Sequence, residues 1–476
     1  MVTSLMKNVV LSVCLLGAAA CGGKKGTIEL DIVRSPLDDP FTGASSVRFT
    51  IGPTVKTAPV INGHFSFSLT EGPPKAPAAI VVEALDSMGN VVAHGQTPTL
   101  QLNAVNQGPY AIWVGRPGTV SAARAELPSP RTEVAALGAA GLGVLFAGGR
   151  DATGAALASS AVYDVFTQDI IVVKDLSTPR AGAAAIPSSP RGIVFGGATS
   201  VGLGNPAGAL DSGELFDPST GSGLWVAVPA DSSPDARSQA NVLVLGSGSG
   251  LVSGGLSEAG TPLSSALLVA AGGSARFSPL SKPMFAARYR HAGAAAHFPE
   301  GDGALLIGGV ADGDTSSPVV ERLIGQSFDN TFDATGIENR WDATATAISG
   351  GVLLVGGTTP APGGRVATSS VVYIPTDTKG PVIRYDALNL SPRAGHTATV
   401  VGNDLLLCGG YDATNKLIAS CDLLTINPVI AFKKTIVLGK ARKGHVAVAL
   451  ETGPVLIAGG VDDQDRPLAS IEIYTP

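Results

Sequence analysis

Seven times along the chain an unbroken apolar run ends in two glycines: GVLFAGG, RGIVFGG, GLVSGG, ALLIGG, GVLLVGG, DLLLCGG and PVLIAGG. The pairs are Gly148 and Gly149, Gly196 and Gly197, Gly254 and Gly255, Gly308 and Gly309, Gly356 and Gly357, Gly409 and Gly410, and Gly459 and Gly460, successive pairs lying 48 to 58 residues apart. A short run without polar alternation reads as a strand buried on both faces. Two glycines end it where the backbone must turn in a crowded place, because only glycine lacks a Cβ there. Sixteen to 20 residues before each pair stands an arginine: Arg131, Arg180, Arg237, Arg288, Arg340, Arg393 and Arg442. After the pair comes a turn and then L-x-S, as in GGYDATNKLIAS, followed by a strand carrying Tyr163, Phe216, Tyr373 or Tyr474 in four of the copies. A last strand leads to the next arginine, as in DIIVVKDLSTPR. The pattern predicts four strands per repeat.

Thr27–Gly118 lacks this repeat. Its segments TIELDIV, SVRFTIG, HFSFSLT, AIVVEAL and YAIWVG alternate polar and apolar positions between Pro, Gly, Asn and Asp. About 90 residues of this kind predict a small β-sandwich, immunoglobulin-like or similar, with SMGN as a hairpin turn. Ahead of it, Lys7 and the apolar run Val9–Ala20 make 1–20 a secretory signal, with Met6 as an alternative start. The run has 12 residues, too few to span a bilayer.

Composition narrows the class. Glycine is 61 of 476 residues, charged residues are 15%, aromatics 5%, and the net charge is −6. Such a chain lacks the basic surface of a nucleic-acid binder, and with 45% hydrophobic residues it is too apolar for disorder. Cys14 lies in the signal, leaving Cys21, Cys408 and Cys421 in an exported, oxidising setting. Cys408 and Cys421 fall on neighbouring second and third strands of one hairpin, which suits either a disulfide or two free buried thiols.

A period near 50 with Gly-Gly, best seen in SPRAGHTATVVGNDLLLCGGYDATNKLIAS, resembles the kelch repeat, one four-stranded propeller blade per copy. The resemblance covers Thr119–Pro476, although the family's usual late tryptophan is mostly missing. It implies an all-β, seven-bladed kelch-type propeller over 119–476, related to the central domain of galactose oxidase-like proteins. The last copy ends at its third strand, SIEIYTP, while TVSAARAELPSPR has the form of a fourth strand. We expect 119–126 to pair with 470–475 and close the ring. AAAC at Ala18–Cys21 resembles a lipoprotein lipobox, with Ala18 where the family prefers Leu. That implies acylation of Cys21, with 21–26 as a tether; ordinary cleavage after Ala20 is the alternative. Localisation would be exported and lipid-anchored, at the outer membrane or surface of a bacterial cell.

A residue present in every copy serves the frame, so the repeated glycines, Arg131, Arg180, Arg237, Arg393 and Arg442 are read as structural. Asp151, Asp412 and Asp462 are read as caps of their own turns. His291, His396 and His445 recur at equivalent places in the fourth, sixth and seventh copies, too dispersed to share a metal, and are read as structural. Departures from the repeat are better candidates. ARYRHAG and NRWDA place Tyr289, Arg290 and Trp341 beside Arg288 and Arg340, a set that could stack on and hydrogen-bond sugars or peptide groups. Two loops after the glycine pairs are enlarged, Thr199–Asp211 and Thr358–Thr368. No GxSxG, HExxH, Walker or dinucleotide motif occurs. No catalytic residue, metal or cofactor is therefore expected, and neither remaining cysteine has an evident tyrosine partner for an oxidase-type copper site. The expectation is a binding or scaffolding lipoprotein with a protein or glycan partner. The alternative is an extracytoplasmic sugar-modifying enzyme, either epimerase or oxidase-like.

Overall fold

The computed structural model describes residues 10–15, 27–60, 68–69, 76–101, 107–139, 141, 143–188, 191–219, 222–232, 234–270, 275–311, 319–377 and 380–476. Cys21 and the 21–26 tether lie outside them, as does most of the 1–20 segment and of HFSFSLT. The described residues are all-β, and nearly all strands fall into four-stranded sheets.

Seven antiparallel sheets account for the repeats, and the first six follow chain order from their first strand. The first is Ala135–Ala139, Gly143–Ala147, Ser160–Asp164 and Asp169–Val173; the fourth is Ala292–Phe298, Gly301–Ile307, Val320–Ile324 and Ser327–Asp329. The second strands are the apolar runs, and residues such as Leu305, Leu353 and Leu405 are fully buried. In the fifth sheet a hairpin, Thr358–Ala361 with Gly364–Ala367, is inserted between the second and third strands. In the seventh, the outer place is taken by Thr119–Ala122, which pairs antiparallel with Ile471–Thr475.

The first strands lie side by side. Ala135–Ala139 contacts Ala184–Ser188, which contacts Asn241–Val244, and the succession runs through Ala292–Phe298, Thr344–Ile348 and Thr397–Val401 to Val446–Ala449, which contacts Ala135–Ala139 again. The glycine pairs explain how the sheets approach so closely. The first glycine of each has φ between 58° and 68° and the second between 82° and 101°. A Cβ on Gly308 would stand 2.3 Å from the Arg340 carbonyl oxygen, and one on Gly356 2.4 Å from that of Arg393. Each second glycine donates its N–H to the same carbonyl: Gly309 to Arg340, Gly357 to Arg393 and, from last repeat to first, Gly460 to Arg131.

The N-terminal unit has two four-stranded sheets sharing one core, which includes Leu30, Val47, Phe49, Ile80, Val82 and Ile112. One sheet is mixed: Gln107–Trp113 runs parallel to Thr27–Val33. Val10–Leu15, read above as signal, pairs antiparallel with Thr27–Val33. The unit is seated on the repeats: Val33, Ala111 and Trp113 pack with Phe146, Tyr163 and Ile473, and Trp113 Nε1 donates to Thr475 Oγ1 at 3.3 Å.

Candidate functional site

The arginines and the glycine pairs meet at one end of the seven sheets. The residue after each arginine forms an antiparallel bridge with the residue after that repeat's glycine pair, from Thr132 with Arg150 to Lys443 with Val461. One residue further on, every repeat turns left-handed. The positions are Glu133, Gly182, Gln239, Arg290, Asp342, Gly395 and Gly444, with φ from 52° to 63°. Backbone bonds link them across sheets: Gly182 N to Glu133 O, Gln239 N to Gly182 O, Asp342 N to Arg290 O and Gly395 N to Asp342 O, at 2.9–3.1 Å. Only glycine adopts this backbone freely. Four repeats nevertheless carry a long or charged polar side chain there, and such departures gather where side chains have a task.

Those side chains form two groups. Glu133 and Gln239 grip the enlarged Thr199–Asp211 loop: Gly204 N donates to Glu133 Oε1 at 2.6 Å, and Gln239 Nε2 donates to Gly204 O at 3.0 Å. Buried Arg150 adds bonds to Glu133 Oε2 (2.8 Å), to Asn205 O (2.9 Å) and to Ser200 O. Val201 and Leu203 on that loop remain exposed. In the second group, Arg290 Nε donates to Asp342 Oδ1 at 2.7 Å, and Tyr411 OH donates to Asp342 Oδ2 at 2.8 Å. Hydrogen bonding to Asp342 raises the Arg290 pKa, and burial followed by the Asp342 charge raises that of Tyr411. Arg290 stays a cation and Tyr411 a neutral donor. The guanidinium carbons of Arg290 and Arg365 lie over the Trp341 ring, 5.3 and 4.1 Å from its centroid. Its ring is therefore partnered within the chain.

No family profile matches the chain, and no curated protein does so either. The site must be read from its own geometry.

Of the five residues singled out as ligand-facing, Arg288 and Arg340 are not. Both are fully buried. Arg288 Nη1 donates to Gly308 O (2.9 Å), and Arg340 Nη1 to Gly356 O (3.1 Å) and Ser370 O (3.0 Å). The other five repeat arginines make the same bond to the first glycine of their pair. Tyr289, Arg290 and Trp341 are partly exposed at the end described. Asp342, Tyr411, Arg365, Glu133, Gln239 and Arg150 escaped sequence reading. The legible sign was R-x-E, R-x-Q, R-x-R and R-x-D in four repeats, where three have R-x-G.

His291, His396 and His445 are buried, each with Nε2 3.0 Å from a hydroxyl, of Ser253, Thr344 and Thr397 respectively. Asp151, Asp412 and Asp462 accept backbone N–H bonds within their own turns. Among the described residues no group of His, Cys, Asp or Glu could hold a metal. Cys408 and Cys421 stand directly opposite each other and form a disulfide. Most partly exposed positions of the first strands are small and apolar, such as Ala136, Gly138, Ala185, Pro187, Gly293 and Ala295, and the polar ones are Asn241, His297, Thr344, Thr346, Thr397 and Thr399. At the opposite end, a cavity of about 280 Å³ includes His297 paired with Asp302 at 2.7 Å, and Asp377.

Proposed function

We propose that this chain is an exported, lipid-anchored protein of a bacterial cell envelope, whose small β-sandwich carries a seven-bladed kelch-type propeller that binds a macromolecular partner without catalysis. The repeat, the return of the first strands to their starting neighbour and the Gly460–Arg131 bond support the propeller. The observation that carries the binding reading is the built end just described. Its left-handed Glu133, Gln239, Arg290 and Asp342 hold a rigid rim, and two enlarged segments, Thr199–Asp211 and the Thr358–Ala367 hairpin, project from it. A sugar-modifying enzyme would need an acid and a base placed together, and the one titratable side chain on the first strands, His297, pairs with Asp302 at the opposite end, away from this rim. Because the Trp341 ring already meets two guanidinium groups, a protein surface suits this end better than a stacked sugar ring.

The test is cross-linking mass spectrometry on bacterial envelopes bearing the full chain, alongside Arg290→Ala and a loop variant with Val201 and Leu203 changed to Ser. The expected result is one partner, cross-linked near 199–211 and 358–367 and at least tenfold weaker in both variants at unchanged Tm. Turnover of a sugar substrate, or cross-links indifferent to both variants, would overturn the reading. Loss of membrane association in Cys21→Ser checks the anchor.

A further inference from the structure

A second feature lies at the junction of the N-terminal unit and the seventh sheet. A cleft of about 610 Å³ is walled by Ser35–Asp38 on one side and by Gly439, Lys440 and Ser470–Glu472 on the other. Between them it is lined by six consecutive residues, Thr119–Arg124. A strand seen face-on contributes alternate residues, whereas a strand seen edge-on contributes all of them. The Thr119–Ala122 strand thus turns its edge into the cleft.

Register shows which groups that edge offers. Ala123 N donates to Ile471 O at 2.9 Å, and Ser121 stands opposite Ile473. In an antiparallel ladder, alternate pairs exchange hydrogen bonds. Ser121 and Ala123 therefore bond toward Ile471–Thr475, and Val120 and Ala122 turn their N–H and C=O the other way. The strand has no second neighbour in its sheet.

The six other outer strands also end their sheets, so a free edge alone marks nothing. This edge differs in having a fixed opposite wall. Arg116 holds that wall, with Nε donating to Asp38 Oδ2 (3.1 Å) and Nη2 to Asp39 O (2.7 Å). Leu37 stands on it 85% exposed, an apolar side chain with no cover of its own. Among the described residues, Lys440 and Glu126 in the lining form no ion pair.

We propose that this cleft takes an extended peptide segment of a partner protein, which adds a strand to the seventh sheet along Val120 and Ala122. Main-chain bonds would supply affinity, an apolar side chain would cover Leu37, and acidic and basic side chains would meet Lys440 and Glu126. The proposal is independent of the rim described above, which lies on other residues.

The test is selection of random heptapeptides on phage against the full chain, with Val120→Pro as counter-target. Proline removes the outward N–H at an edge strand, where it is tolerated, and also the Val120 side chain that packs with Leu406 and Tyr474, so Val120→Ala is the control for lost packing and should bind like the parent. Leu37→Asp is the second variant, at an exposed side chain that the fold does not use. Expected are peptides with alternating apolar positions that slow hydrogen exchange at Val120 and Ala122 and bind at least tenfold more weakly to Val120→Pro and to Leu37→Asp. No enrichment over Val120→Pro, equal binding to Leu37→Asp, or equal protection at the other outer strands would overturn it.

Discussion

The fourth and fifth sheets are neighbours built on one plan, yet they bury the same arginine differently. Arg288 in the fourth has a buried carboxylate, Glu321, on its Nη2, and Glu321 also accepts the Phe285 and Ala286 N–H groups. In the fifth sheet Val372 holds the equivalent strand position, and among the described residues Arg340 Nη2 has no hydrogen-bond partner. The second, sixth and seventh sheets follow the fourth, through Glu214, Asp422 and Glu472. In the first and third, Ser159 and Ser265 accept from Nη2 instead. Two bonds from Nη1 are common to all seven: one to the glycine carbonyl, and one to a carbonyl at the start of the third strand, of Ser159, Ser212, Ser265, Val319, Ser370, Ser420 or Ser470. The arginine therefore serves first to cap the carbonyls left over where each apolar strand ends. The carboxylate is an addition that also ties down the connection entering the sheet.

The largest expected effect comes from removing that addition where it exists. Glu321→Leu leaves Arg288 buried without its counter-charge and frees two backbone donors, which should cost about 3–5 kcal/mol. Chemical denaturation of the variant checks this. A loss below about 1 kcal/mol would show that the fourth sheet is as tolerant as the fifth, and the contrast would fall.

The sixth sheet adds a covalent tie to its Arg393–Asp422 pair. The Cys408–Cys421 disulfide encloses a sequence separation of 13 residues. Replacing both cysteines by alanine, or reducing the bond, should cost roughly 2–4 kcal/mol, read as a fall in Tm. Hydrogen exchange should rise in the sixth sheet and leave the fifth unchanged.

Acid should separate the sheets again. His291, His396 and His445 belong to the fourth, sixth and seventh sheets, and burial pushes His291 and His445 down to about 3 and His396 well below its ordinary 6.5. A histidine kept neutral in the fold binds its proton more readily when unfolded. Stability is then complete above about pH 6.5 and lost as pH falls from there toward 3, by up to ~1.4 kcal/mol per pH unit for each histidine. Hydrogen exchange between pH 7 and pH 4.5 should loosen those three sheets before the fifth, which has Ala343 at that position. His291→Ala should flatten the slope.

Repeat spacing made the frame legible, because glycine pairs and arginines recur at fixed offsets and answer to backbone geometry alone. The acids were harder to see. Glu214, Glu321, Asp422 and Glu472 lie on third strands among apolar residues, where a lone carboxylate in a sequence looks like any outward polar position. The rim was legible only in the negative, as four missing glycines. Tyr411 and Arg365 reach it from segments after the glycine pairs, and nothing local links either to Asp342. Conversely, Arg288 and Arg340 adjoin Tyr289 and Trp341 in sequence, but adjacent residues on an extended segment point opposite ways. That alternation buries the arginines and leaves Tyr289 and Trp341 partly exposed.

The smallest expected effect is also the most discriminating. Val372→Glu would give Arg340 the carboxylate that its neighbour has. Coulomb attraction and a new bond to Nη2 would favour the variant, while desolvation of the glutamate would oppose it, and buried ion pairs of this kind nearly balance. Burial already pulls the Arg340 pKa down to about 10, so its charge is held in a poorly solvating place. Its nearest acids, Glu338 and Asp386, are exposed and engaged by Arg384. The expected change is therefore within about 1–2 kcal/mol, and toward greater stability. A marked loss would mean that Val372 fills space the fifth sheet needs, and that the two sheets differ in packing before they differ in charge.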